Sequence, residues 1–162
     1  MTDVVSTIDA CAIDTGLHDG PVAVAVMDWP ADCGAEAVFL GRTRVETHSQ
    51  HGGLMRLEYE VYAPMANKLL HEMAAAASAK FGCKAIRLVH AHGVLPPGEA
   101  SIVIQVATPH RASAFDACRY LIERVKHELP VWKREIWEHG ETFVEGCCVH
   151  TDAHNETPTR GA

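Results

Sequence analysis

Two β-rich runs separated by only four residues constrain this chain more than any other feature. Ala85–Leu95 (A-I-R-L-V-H-A-H-G-V-L) and Ala100–Thr108 (A-S-I-V-I-Q-V-A-T) flank Pro96-Pro97-Gly98-Glu99. Proline presets one corner of a turn and glycine accepts the backbone angles of the other, so the pair predicts an antiparallel hairpin. The second run is apolar enough for a central strand. Two amphipathic helices are predicted to cover such a sheet. Pro64–Phe81 repeats apolar residues at Met65, Leu69, Met73, Ala76 and Ala77, is rich in alanine, and stops at Gly82, a natural C-terminal cap. Arg111–Glu128 places Phe115, Cys118, Leu121, Ile122 and Val125 on one stripe and ends before Pro130. The pattern is that of an α+β chain with a mixed or antiparallel sheet and two main helices.

Shorter signals fill in the remainder. Leu54–Tyr62 alternates, with Leu57, Tyr59 and Val61 on one face and Arg56, Glu58 and Glu60 on the other, as a half-buried strand does. Ala35–Arg44 reads as a strand ending in two arginines, Thr47–Gly53 as a polar, Gly-bearing loop, and Val131–Ile136 and Thr142–Val144 as short strands. The first 18 residues carry weak signals, with one strand around Ala10–Ile13. Pro21–Trp29 is ambiguous: valine alternation favours a strand, whereas Asp19-Gly20-Pro21 resembles a helix start, and the reading leans to a short helix. His150–Ala162 reads as a disordered polar tail.

Composition sets outer bounds. A chain of 162 residues defaults to one domain with a core able to stand without disulfide or metal. A net charge of -7 argues against a broad nucleic-acid footprint. The six cysteines, at 11, 33, 83, 118, 147 and 148, show no C-x-x-C pair and read as reduced thiols, the adjacent Cys147 and Cys148 being poorly placed to bridge each other. Without a long apolar run or a leader pattern, the expected compartment is the cytosol, with no membrane partner.

Against that acidic background, cations gather in three places. Thr108-Pro109-His110-Arg111 stands where a strand meets a helix, and free backbone N–H groups and the helix dipole favour an anion there. Lys126 closes the second helix, and Lys133 follows one proline corner later in Pro130-Val131-Trp132-Lys133-Arg134-Glu135, so both ammonium groups can approach one pocket. Gly41-Arg42-Thr43-Arg44 adds charge at a strand end. Each cluster also has an ordinary reading as solvated surface charge. His90-Ala91-His92 places two imidazoles on one strand face and could begin a metal site, but no third ligand is evident nearby and a structural or polar role is preferred.

Taken together and in order, the stretches 34–44 (G-A-E-A-V-F-L-G-R-T-R), 57–66 (L-E-Y-E-V-Y-A-P-M-A), 96–122 (P-P-G-E-A-S through H-R-A-S-A-F to C-R-Y-L-I) and 126–135 (K-H-E-L-P-V-W-K-R-E) resemble the large, catalytic subunit of molybdopterin synthase, the MoaE family. The resemblance covers residues 34–146, leaving 1–33 as a poorly matched N-terminal segment and 147–162 as a tail. It implies an α/β hammerhead-like single domain and an enzyme that transfers sulfur to cyclic pyranopterin monophosphate to form the molybdopterin dithiolene. The sulfur is delivered on the C-terminal Gly-Gly thiocarboxylate of a small ubiquitin-like subunit. The implied assembly is a homodimer of this chain within a heterotetramer, and no cofactor or metal is implied. By matching position, Lys126 and Lys133 are the implied catalytic lysines. Arg44, His110 and Arg111 would hold the substrate's phosphate and pterin, with Arg42, Thr43, Arg134 and Glu135 lining the same site. The chain departs from the family at Ala91, where arginine is usual, and at Phe143, where tryptophan is usual. Two other classes stay open: a metal-dependent hydrolase built on His90, His92 and His110, and a catalytically silent partner-binding module.

Overall fold

The computed structural model describes residues 11–144. The expectations for the His150–Ala162 tail and for Cys147 and Cys148 therefore fall outside the described residues. The elements are β1 (Ala12–Asp19), β2 (Ala35–Arg42), β3 (Thr47–His48), β4 (Gly52–Val61), α1 (Ala63–Phe81), β5 (Ala85–Leu95), β6 (Ala100–Thr108), α2 (Arg111–Glu128), β7 (Val131–Trp137) and β8 (Gly140–Val144).

The predicted hairpin is β5–β6, and it is the centre of the molecule. Neighbouring strands run in the order β2-β6-β5-β4-β7-β8, with β1 added to β5 and β3 to β4. All pairings are antiparallel except β1 with β5. In β6, Ile102, Ile104 and Val106 point into one apolar cluster and Val103 into another, so the strand is enclosed on both faces. The first cluster lies under the helices and includes Leu70, Met73, Ile86, Leu88 and Leu121. The second, on the opposite face, joins Val22, Leu54, Leu57, Leu95 and Trp137. Continuous apolar sequence in β6 is the consequence of this double burial.

Helix boundaries follow the sequence closely, but the buried stripes are rotated from those expected. In α1 the buried residues are Ala66, Leu70, Met73, Ala74 and Ala77, while Met65 is half exposed. In α2, Ala114, Ala117, Cys118, Leu121 and Val125 are buried and Phe115 is 67% exposed. Both helices use alanines where they approach each other and the sheet, a choice that size-blind hydrophobic periodicity does not anticipate. Gly82 ends α1 in the left-handed conformation, its N–H donating to Ser78 O at 2.9 Å.

Three expectations are corrected. Residues 21–34 form no helix before the turn that precedes β2. Instead, Val22 N–H donates to Ala100 O at 3.0 Å, and the buried Gln105 amide bonds both Ala25 N–H and Ala25 O at 2.9 Å, pinning the segment as an irregular strap over β6. Those tertiary partners satisfy backbone groups that a helix would otherwise pair internally. The N-terminal strand extends from Ala12 to Asp19, its polar residues tied to β5 in part by Arg87 Nε donating to Asp14 Oδ2 at 3.1 Å. The 47–53 segment contains a two-residue strand, Thr47–His48, folded back on Gly52–Gly53.

The rotated stripe gives a direct stability test. Leu70→Ala, at a fully buried position, is expected to cost about 2–5 kcal/mol, and Met65→Ala under about 1 kcal/mol, in urea unfolding monitored by circular dichroism. Equal losses would contradict the observed helix orientation.

Candidate active site

A cavity of about 740 Å³ opens between the C-terminal end of α2 and the sheet. Phe39, Leu40, Gly41 and Arg42 of β2, Tyr59 of β4, His90 of β5 and Ile102 of β6 contribute to it from the sheet. Val125, Lys126 and His127 enter from α2, and Val131 and Lys133 from β7. The α2–β7 corner places the two lysines. Leu129 leaves the helix in an extended conformation with its N–H donating to Val125 O at 3.1 Å, and Pro130 then turns the chain into β7. Lys126 on the last helical turn and Lys133 on the strand line the same cavity.

A second, polar chamber of about 200 Å³ shares Arg42, Tyr59 and Lys133 with the first and adds Thr43, Arg44, Glu46 and Glu135. Its cationic rim is built by the β5–β6 turn. Thr43 N–H donates to Glu99 O and Gly98 N–H to Thr43 O, both at 2.8 Å, while Arg42 Nη1 donates to Gly98 O at 3.0 Å. A register shift at Gly41/Arg42 breaks the β2–β6 ladder there, and a side chain at Gly41 would meet Ile102 Cγ2 at 2.6 Å. The glycine thus allows β2 to close on β6 at the cavity wall.

Charge in the two chambers is unevenly paired. Lys133 Nζ lies 2.8 Å from Glu135 Oε1, and Arg44 Nη2 lies 2.7 Å from Glu46 Oε1. Among the described residues Lys126 makes no ion pair. Burial pushes the Glu135 carboxyl up, but hydrogen bonds from Lys133 and Thr142, with the charges of Lys133 and His48, outweigh it and hold the group below the usual carboxylate range. Thr43 is 6% exposed and its Oγ1 has no hydrogen-bond partner, which leaves an unsatisfied polar atom in the wall of the polar chamber.

Three of the nine residues singled out from sequence stand apart. Arg134 alternates to the other face of β7, where it pairs with Glu58, reaches Glu141 at 3.5 Å and lies 5.9 Å from the Phe143 ring centre. His110 and Arg111 are exposed at the start of α2 and line neither cavity. Lys126 lies fifteen positions beyond Arg111 along the helix, a rise of about 22 Å at 1.5 Å per residue. One copy of the chain therefore does not gather the three cationic segments into a single cavity.

The histidines do not form the ligand set of a hydrolase. His90 is buried and its Nδ1 donates to Ala91 O at 2.7 Å, His92 is 3.9 Å from Asp19, and His110 precedes α2. Among the described residues no group of three or more His, Cys, Asp or Glu side chains is arranged to hold a metal ion. His90 instead faces the main cavity with Tyr59, their rings edge-on at 5.6 Å. Tyr59 was legible only as one of the buried-face residues of a strand. Its place in the site comes from register, because it sits opposite Lys133 in the β4–β7 ladder.

Comparison with known proteins gives the family of the chain. The family profile described as MoaE protein matches residues 18–128. The chain belongs to the MoaE family. The match includes the Arg42–Arg44 cluster, His110, Arg111 and Lys126, and it ends shortly before Lys133. The chain is 42% identical over 113 residues to the molybdopterin synthase catalytic subunit of Bacillus subtilis, covering 70% of this chain and 71% of that protein. It is 37% identical over 111 residues to the human subunit of the same name, covering 68% of this chain and 58% of that protein. The crystal structure of molybdopterin synthase from Staphylococcus aureus superposes with a TM-score of 0.71 at 32% identity, covering 80% of this chain and 95% of that one. The MoaE-like fold also appears in a complex of subunits 1 and 2 of the molybdopterin-converting factor from Helicobacter pylori, with a TM-score of 0.64 at 17% identity over 81% of this chain and 90% of that one.

His90 supplies a pH test of the cavity wall in this MoaE chain. Burial disfavours its imidazolium, outweighing the opposing effect of the Ala91 carbonyl, so its pKa lies below the ordinary value of 6.5. The unfolded chain then binds the proton more readily. His90 therefore contributes stability that is full above about pH 6.5 and is lost as pH falls towards the folded-state value. The melting temperature is expected to drop less between pH 7 and 5.5 in His90→Gln than in the parent. Parallel curves would remove the assignment.

Proposed function

We propose that this catalytic subunit of molybdopterin synthase, an enzyme of molybdenum cofactor biosynthesis, brings two anions together in its paired chambers and moves sulfur between them. The donor is the C-terminal thiocarboxylate of a small ubiquitin-like Gly-Gly subunit, and the acceptor is cyclic pyranopterin monophosphate. The observation that carries this reading is the arrival of Lys126 and Lys133 on one cavity from opposite sides of the Pro130 corner, beside a polar chamber rimmed by Arg42 and Arg44. A cavity walled by Phe39, Leu40, Ile102 and Val131 accommodates an extended tail without side chains, and its cations favour a terminal thiocarboxylate. Once the thiocarboxylate sulfur has bonded to the pterin, water adds to the resulting thioester carbonyl and Lys133 stabilises the oxyanion of that adduct. Its collapse breaks the C–S bond, leaving sulfur on the pterin and a carboxylate on the partner's tail. Lys126 positions the pterin and handles protons. Arg42, Thr43, Arg44 and Glu135 complete the substrate site. Such chemistry suits a reducing cytosol. Cys83 and Cys118, with thiols pushed up by burial to about 12 and about 11, take no part.

His110 and Arg111 enter this reading through a second copy of the chain. The length of α2 separates them from Lys126 in one copy, so their contribution to phosphate binding requires a homodimer in which each cavity borrows the α2 start of its neighbour. One small subunit per cavity then makes a heterotetramer. No role in the site is proposed for Arg134, whose guanidinium is engaged on the far face of β7.

Conversion of cyclic pyranopterin monophosphate with a thiocarboxylated Gly-Gly partner, read as dithiolene product, tests donor, acceptor and reaction together. Lys126→Ala and Lys133→Ala are each expected to lower product formation by about 100-fold or more. Normal turnover in Lys133→Ala would remove its central role, and failure of the parent chain would favour a silent binding module. Unfolding and refolding Lys126→Ala together with Arg111→Ala should restore about a quarter of parental activity, since half the dimers are mixed and each has one intact site. No recovery would confine each site to a single copy.

A further inference from the structure

Behind Lys133 runs a line of hydrogen bonds that the assigned site residues do not account for. Trp137, 6% exposed, donates its indole Nε1–H to Thr142 Oγ1 at 2.9 Å. Thr142 Oγ1 donates to Glu135 Oε2 at 2.9 Å, and Glu135 Oε1 takes the ammonium of Lys133 at 2.8 Å. Chemistry sets the direction. An indole N–H only donates, so the threonine oxygen is its acceptor and the single hydroxyl proton is left for the carboxylate. Glu135 then receives one donor on each oxygen, an arrangement suited to the anion. Strand register builds the line: Lys133, Glu135 and Trp137 alternate onto one face of β7, and Glu135 stands opposite Thr142 in the β7–β8 ladder.

The surroundings of Glu135 come from four more elements or connections. His48 of β3 lies 5.3 Å from the Trp137 ring and favours the carboxylate when charged. The polar chamber adds Arg42 from the end of β2, Arg44 and Glu46 from the following connection, and Tyr59 from β4.

We propose that Thr142 and Trp137 are positioning residues for sulfur transfer, holding the Lys133 ammonium at a fixed point on the cavity wall through Glu135. The inference rests on the role given to Lys133 above. A preplaced cation meets a developing oxyanion without reorganising, and that benefit falls on the chemical step more than on binding. Neither residue lines either cavity.

Thr142→Val keeps the shape of the side chain and removes the hydroxyl. With one donor gone, the Glu135 carboxyl is expected to titrate about one pH unit higher by carbon-13 NMR, and the acid limb of the kcat profile to move the same way. We expect kcat to fall by about tenfold with KM changed less than about twofold. Thr142→Ser should restore both titration and rate, and Trp137→Phe should give a smaller shift in the same direction. A lower melting temperature with an unmoved carboxyl titration and acid limb would reduce the line to a structural contact and overturn the proposal. The two readouts separate two failures. An unmoved titration overturns the coupling even when sulfur transfer is intact. A parent chain inert with the thiocarboxylated partner overturns the reaction, while a shifted titration still supports the coupling.

Discussion

Burial of the β5–β6 hairpin on both faces is the constraint from which the rest of the molecule follows. Once β6 is enclosed, its neighbours must supply two covers, and they do so unequally: two alanine-rich helix faces on one side, and the 21–34 strap with the β4 and β7 residues Leu54, Leu57 and Trp137 on the other. The strap can lie irregularly because Gln105 replaces the missing ladder with side-chain bonds. Its amide accepts from Ala25 N–H and donates to Ala25 O and Glu36 Oε1, so a fully buried polar group is satisfied rather than stranded. The hairpin also reaches the site directly. Its turn grips the backbone of Thr43 and the guanidinium of Arg42, tying the cation rim to the most deeply buried strands.

Much of this was legible because local chemistry and tertiary demand agree. The Pro-Pro-Gly-Glu turn, the Gly82 cap and the Pro130 stop each act within a few residues, and the hairpin and both helices fall within one residue of the expected bounds. Legibility failed where a remote partner decides the outcome. Nothing near Pro21 announces that a glutamine 80 residues later will claim the backbone of Ala25. Met65 and Phe115 are large and apolar, so periodicity assigns them inward. Close approach of two helices and a sheet instead favours Ala66 and Ala114, and the larger neighbours turn outward.

The candidate site shows the same division. The shared cavity of Lys126 and Lys133 was readable from a helix end and a proline corner, both local signals. Arg134 was grouped with Lys133 and Glu135 by adjacency, but strand alternation sends it to the opposite face, where Glu58 waits across the β4–β7 ladder. Tyr59 reads from sequence only as a strand-face residue and His90 only as a polar residue or metal ligand, for the complementary reason: only sheet register brings β4 and β5 residues to a cavity edged by α2.

The two ends of α2 carry opposite electrostatic logic. Lys126 and His127 in the last turn sit where the helix dipole favours cations. At the other end, the first turn has no acidic residue, Arg111 opens the helix, and His110 offers no side-chain cap. A helix selected for stability alone would place Ser, Thr, Asp or Asn before its first turn and acids within it. Local stability has been given up at the α2 start, in a position that one copy of the chain leaves exposed to solvent. A mismatch of that kind is the expected mark of a segment shaped by what it meets rather than by its own helix. Cation repulsion at an uncapped N-terminus is relieved by an anion and is aggravated by any nearby cation. The α2 start is therefore suited to an anion, which in the proposed function is the substrate phosphate held by a neighbouring copy, whereas the opposite end of the same helix stabilises Lys126 without outside help.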